Sequence, residues 1–125
     1  MNLNQPYSVS SYPNFYRETP NTQLLHAIQK AIHAEYSAIA CYEKLAKMAP
    51  TQEERTKILE IQKDENRHLH EFSRIFTHLT GRQPTFQIIE ECPDNYQAGI
   101  EFALKDEQEA VDSYLDISDQ AQDFT

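Results

Sequence analysis

Residues 58–79, ILEIQKDENRHLHEFSRIFTHL, decide the fold. Taken at the three-and-four spacing that keeps side chains on one helix face, they give Ile58, Ile61, Glu65, His68, Phe72, Ile75 and Leu79. Working outward, residues 24–45 give Leu24, Ile28, Ala31, Glu35, Ala38, Tyr42 and Leu45. Residues 96–117 give Tyr96, Ile100, Ala103, Glu107, Ala110, Tyr114 and Ile117. Seventeen of these twenty-one positions are apolar or aromatic, and the exceptions are Glu35, Glu65, His68 and Glu107, each near the middle of its segment. Such a seam faces a packed interior. A buried carboxylate is costly there unless a cation or a hydrogen-bond network offsets it. The pattern therefore predicts an all-α bundle with a metal site between its helices.

Bulk properties agree. The chain has 125 residues, 20 acidic against 11 basic side chains, a net charge of −9 and two glycines. This is one helical domain with room for a core. Without a basic stripe, neither nucleic acid nor an anionic membrane surface is expected as a partner. No apolar run approaches the roughly 18 residues that span a bilayer. The N-terminus shows no basic region followed by an apolar stretch, so a cytoplasmic location is expected. Cys41 and Cys92 form no C-x-x-C pair and are expected to be free thiols in a reducing compartment, a disulfide between them being the alternative.

Residues 1–20 carry Pro6, Pro13 and Pro20 with Tyr7, Tyr12, Phe15 and Tyr16, and are expected to form an extended arm whose rings lie on the bundle or grip a neighbouring subunit. The helical domain occupies 21–125. Its first helix covers about 22–49, capped by Asn21 or Thr22 and ended by Pro50. Thr51 opens the second with Glu54 as a capping box, and this helix runs to Thr80, where Gly81 provides a left-handed stop. Residues 81–94 are too long for a tight hairpin and are expected to carry the chain back along the bundle, burying Phe86, Ile88 and Ile89. Asp94 and Gln97 are the expected capping pair for a third helix over about 95–119.

An internal repeat underlies this layout. Ala31, Glu35, Ala38 and Tyr42 recur as Ala103, Glu107, Ala110 and Tyr114 at a constant offset of 72. In each copy small residues flank the glutamate and leave room for an ion, and the tyrosine hydroxyl can reach a polar centre. Glu65 and His68 are three apart and share a helix face, so a carboxylate oxygen and an imidazole nitrogen can bind one ion. Alone the Glu-x-x-His pair is weak; on an apolar seam facing glutamates from two other helices it matches carboxylate-bridged two-metal bundles. On this reading Glu35 and Glu107 each bind one ion terminally, Glu65 bridges, and His68 completes one ion's sphere. Mixed oxygen and imidazole donors suit Fe(II) or Mn(II), with zinc a substitute.

These residues resemble the ferritin-like superfamily, and in particular rubrerythrin-type di-iron proteins, over roughly residues 22–120. The resemblance implies a four-helix bundle with a long crossover, two iron ions that react with peroxide or dioxygen or oxidise Fe(II), an external electron donor and a homodimer. It also departs in two ways. A second Glu-x-x-His at the same offset would fall at positions 137 and 140, past Thr125, leaving only three long helices. The chain is then a piece of a longer protein, or a second copy supplies the missing helices, or the site is a half-site with one ion or none. Second, rubrerythrins resemble one another in an extra glutamate where this chain has Ala110, and often add a four-cysteine iron module that is absent here. A non-enzymatic, metal-clipped assembly module, such as a spore-coat component, is the rival expectation. His26, His33, His70 and His78 fall off the seam and read as solvated or partly buried helix residues.

Overall fold

Proline, threonine and glycine punctuate the chain as expected. The structure, a computed structural model, describes residues 20–122, excepting the side chains of 20, 21, 106, 107, 109–114, 121 and 122. The N-terminal arm lies outside the described residues. Among the described residues three long helices follow one another, α1 (Pro20–Met48), α2 (Gln52–Thr80) and α3 (Tyr96–Gln122), and no strand occurs. The protein is an all-α helical bundle.

Local chemistry sets each boundary. Proline is tolerated in a first turn, where its missing N–H has no intrahelical acceptor, so α1 starts at Pro20, slightly before the expected Asn21 or Thr22. Thr51 caps α2 by accepting from the Glu54 N–H at 3.1 Å, and Arg55 Nε reaches back to donate to the Ala46 carbonyl at the end of α1 at 3.1 Å. Gly81 ends α2 at φ 72°, its N–H donating to the Thr77 carbonyl at 2.8 Å. A side chain at that φ would be strained. The third cap differs from expectation: Asn95 Oδ1 accepts from the Ala98 N–H at 2.9 Å, whereas Asp94 is paired with Lys44. The neighbouring ammonium holds the Asp94 carboxyl below its usual range.

The crossover returns along α1. Gln29 Nε2 donates to the Thr85 carbonyl at 3.4 Å, Tyr36 stacks on Phe86 with centroids 5.5 Å apart, and the Ile89 N–H donates to the buried Ser37 hydroxyl at 2.9 Å. Cys41 and Cys92 then form a disulfide, with Cα atoms 5.1 Å apart. This corrects the expectation of free thiols. Fifty-one residues separate the pair in sequence, and only the return of the crossover brings them together. Phe86, Ile88 and Ile89, expected to be buried, remain about half exposed, because the strap is held by hydrogen bonds, the Tyr36 stack and the disulfide.

Two apolar clusters fill the bundle. One gathers Ala38, Tyr42, Leu45, Ile58 and Ala103 toward the α1–α2 turn. The other gathers Leu24, Ile28, Ile32, Phe72, Phe76 and Ile117 toward the opposite end. Helix α1 packs against both α2 and α3. Near their starts α2 and α3 are joined by the Tyr96 hydroxyl, which donates to Glu54 Oε1 at 2.8 Å. Burial, and then this carboxylate, raise the Tyr96 phenol above its ordinary range. On α2 the seam divides. Ile58, Glu65 and Phe72 are buried, whereas Ile61, expected in the core, is 36% exposed.

Two measurements check this packing. A Cβ at buried Gly99 would overlap the Cδ2 of fully buried Leu45. Gly99→Ala should therefore lose about 1 kcal/mol in urea unfolding, where helix propensity alone would gain roughly that amount. Combined with Leu45→Ala, it should cost less than the sum of the single changes. Replacing Cys41 and Cys92 together with Ala should lower stability by about 2–4 kcal/mol, and the parent chain should take up thiol-alkylating reagent only after reduction.

Candidate metal centre

Glu35 comes from the middle of α1, and Glu65 and His68 from the middle of α2. Because the helices are antiparallel, the same register that sets Gln62 Nε2 3.1 Å from the Ile39 carbonyl and 3.1 Å from Glu43 Oε1 brings Glu35 level with the Glu-x-x-His pair. His68 Nδ1 lies 3.6 Å from Glu35 Oε2 and 3.8 Å from Glu65 Oε1. One ligand atom from each of the three residues lies within 4.8 Å of the others.

Burial decides what this group can do. The Glu35 and Glu65 side chains are only 4% and 2% exposed, and His68 is 31% exposed. Two carboxylate charges within 4.8 Å of each other repel by about 3 kcal/mol at an effective dielectric of about 20, in addition to the cost of removing each from water. One protonated imidazole supplies a single positive charge against two negatives. A divalent cation would balance the pair and accept oxygen and imidazole donors alike. The donor set therefore fits a metal ion, with His68 on the accessible lip and the carboxylates beneath it.

The layer lies where the two apolar clusters part. Ala38 and Ala31, one turn to either side of Glu35, are both buried, and their small side chains leave room beside the carboxylate. Tyr42, expected near the centre, makes a long hydrogen bond from its hydroxyl to the Ala103 carbonyl at 3.5 Å. Helix α3 runs antiparallel to α1, with Gly99 against Leu45 and Ala103 against Tyr42, so the backbone of residue 107 passes at the level of Ala38, about one turn from Glu35. The side chains of Glu107 and Tyr114 lie outside the described residues. The sequence pattern thus places three of its four proposed ligands in one cluster. It missed Ser37, a buried hydroxyl that anchors the crossover, because Ser37 stands off the apolar seam; its only signal was a small polar residue one turn before Cys41.

No known protein-family profile matches the chain, and no solved structure is similar to it. The chain is 50% identical over 109 residues to the uncharacterized protein YhjR of Bacillus subtilis (strain 168), a match covering 87% of this chain and 74% of that protein. At that identity and coverage, the chain belongs to the family of YhjR.

Proposed function

We propose that this is a metal-binding carboxylate protein of the ferritin-like, rubrerythrin type, which reduces peroxide or dioxygen or oxidises Fe(II). The observation that carries the proposal is the convergence of Glu35, Glu65 and His68 donor atoms within 4.8 Å between two apolar clusters. In this reading those three residues hold one iron or manganese ion, and Glu107 contributes toward a second. The bound metal supplies the electrons that reduce the oxidant. The chain's own residues set the conditions. Glu35 and Glu65 provide negative charge that favours the more oxidised ion, and the small Ala31 and Ala38 let carboxylates reorient. His68, the most exposed of the three, lies where a small oxidant would enter.

The reading implies partners. Both cysteines of this chain are engaged in one disulfide, so sustained turnover draws on an external electron donor. Ile61 and His68, seven residues apart on one face of α2, are both partly exposed; a second copy of the chain in a homodimer would close that side.

A second reading is favoured by one feature: three donors from two helices suffice to fasten α1 to α2 around one ion. The protein would then be a metal-clipped assembly module without turnover. No helix among the described residues is long and apolar enough to cross a membrane, which suits either reading.

Two experiments decide. Fe(II), Mn(II) or Zn(II) should raise the melting temperature of chelator-treated protein by roughly ten degrees, which about 3 kcal/mol gives when the ion is present at roughly a hundred times its dissociation constant. Replacing Glu65 and His68 together with Ala should abolish tight binding by elemental analysis; an unchanged metal stoichiometry would refute the ligand assignment. Reduced, iron-loaded protein should consume peroxide or dioxygen with catalytic turnover when a reductant is supplied. Metal-dependent stabilisation without turnover would establish the clip.

A further inference from the structure

A cleft of about 650 Å³ opens on another side of α2, between its C-terminal half and the start of the crossover. It is a groove broadly open to solvent, with room for one small molecule laid along α2. The α2 wall is built by the three-and-four spacing that aligns side chains on one face, and presents His70, Arg74 and His78 as successive turns of one stripe, with Thr77 beside them. Gln83 and Phe86 of the crossover form the opposite wall, and the Tyr36 stack holds the Phe86 ring in place.

The chemistry of this lining is selective. Among the described residues no carboxylate lines the cleft, although the chain has 20 acidic residues and a net charge of −9. Arg74 makes no ion pair among the described residues. Ser73 Oγ, on the same wall, is buried with no hydrogen-bond partner among them. A guanidinium, two imidazoles, the Thr77 hydroxyl and the Asn66 and Gln83 amides therefore line one space that also offers an aromatic ring. Planar guanidinium suits a phosphoryl group through paired N–H donors, and the Phe86 ring, 47% exposed, suits a flat apolar body.

We infer that this cleft binds a phosphate monoester carrying an aromatic or heterocyclic group, with Arg74 as the main anion contact, His70 and His78 flanking it, and Phe86 packing against the ring. The inference stands independently of the metal reading.

The test follows backbone amide NMR signals of the full chain, treated with chelator so that no metal reports the anion, during titration with phenyl phosphate, inorganic phosphate and benzyl alcohol. Phenyl phosphate should give saturable shifts at residues 66–78 and 83–86. Arg74→Gln should weaken it roughly tenfold or more, the loss expected for a charged hydrogen bond. Phe86→Ala should weaken phenyl phosphate while leaving inorganic phosphate unchanged, and His70→Gln with His78→Gln should weaken both anions. No saturable shift at concentrations on the order of 10 mM, equal binding of benzyl alcohol, or an unaltered affinity in Arg74→Gln would each overturn the assignment.

Discussion

The interior of this bundle is organised by a pair of acids that hydrocarbon cannot accommodate alone. Glu35 and Glu65 lie between two apolar clusters, almost without access to solvent. Folding must remove both from water and bring them together, and each step opposes burial of the ionised forms. Packing of the surrounding helices thus requires that this layer be compensated, by a cation, a proton or hydrogen bonds. Helix α1 is the common element, because it carries Glu35 and contacts both other helices.

Helix number, approximate bounds and two of the caps were legible because they depend on local rules: threonine at a first turn, glycine at a left-handed stop, apolar residues at helical spacing. The Glu35, Glu65 and His68 cluster was legible for a related reason. Polar residues in an apolar seam are anomalies, and anomalies on facing helices must meet. Where competition among partners decides, sequence spacing was insufficient. Asp94 had the right chemistry for a cap, but Lys44 takes it, and Asn95 caps instead. Ile61 had the right spacing for the core, yet it stays 36% exposed.

The crossover was the least legible element, since its position depends on contacts far apart in sequence. Ser37, Cys41 and Lys44 line successive turns of α1 and each binds a crossover residue. None belongs to the apolar seam, so periodicity gave no sign of them. The cleft lined by His70, Arg74 and His78 was hidden for the same reason. On α2 alone these side chains form an ordinary solvated stripe, and only the returning strap adds the second wall.

The disulfide also closes a covalent ring that includes the whole of α2, since it joins Cys41 near the end of α1 to Cys92 near the end of the crossover. Helix α2 is thus tied to α1 through both of its ends, by the turn at 49–51 and by the cross-linked crossover. Because α2 is already joined to α1 by the short turn, the cross-link adds a second tether and removes unfolded arrangements in which the far end of α2 strays from α1. Local opening of the bundle therefore leaves fewer ways for the chain to lose its register than an open chain would have.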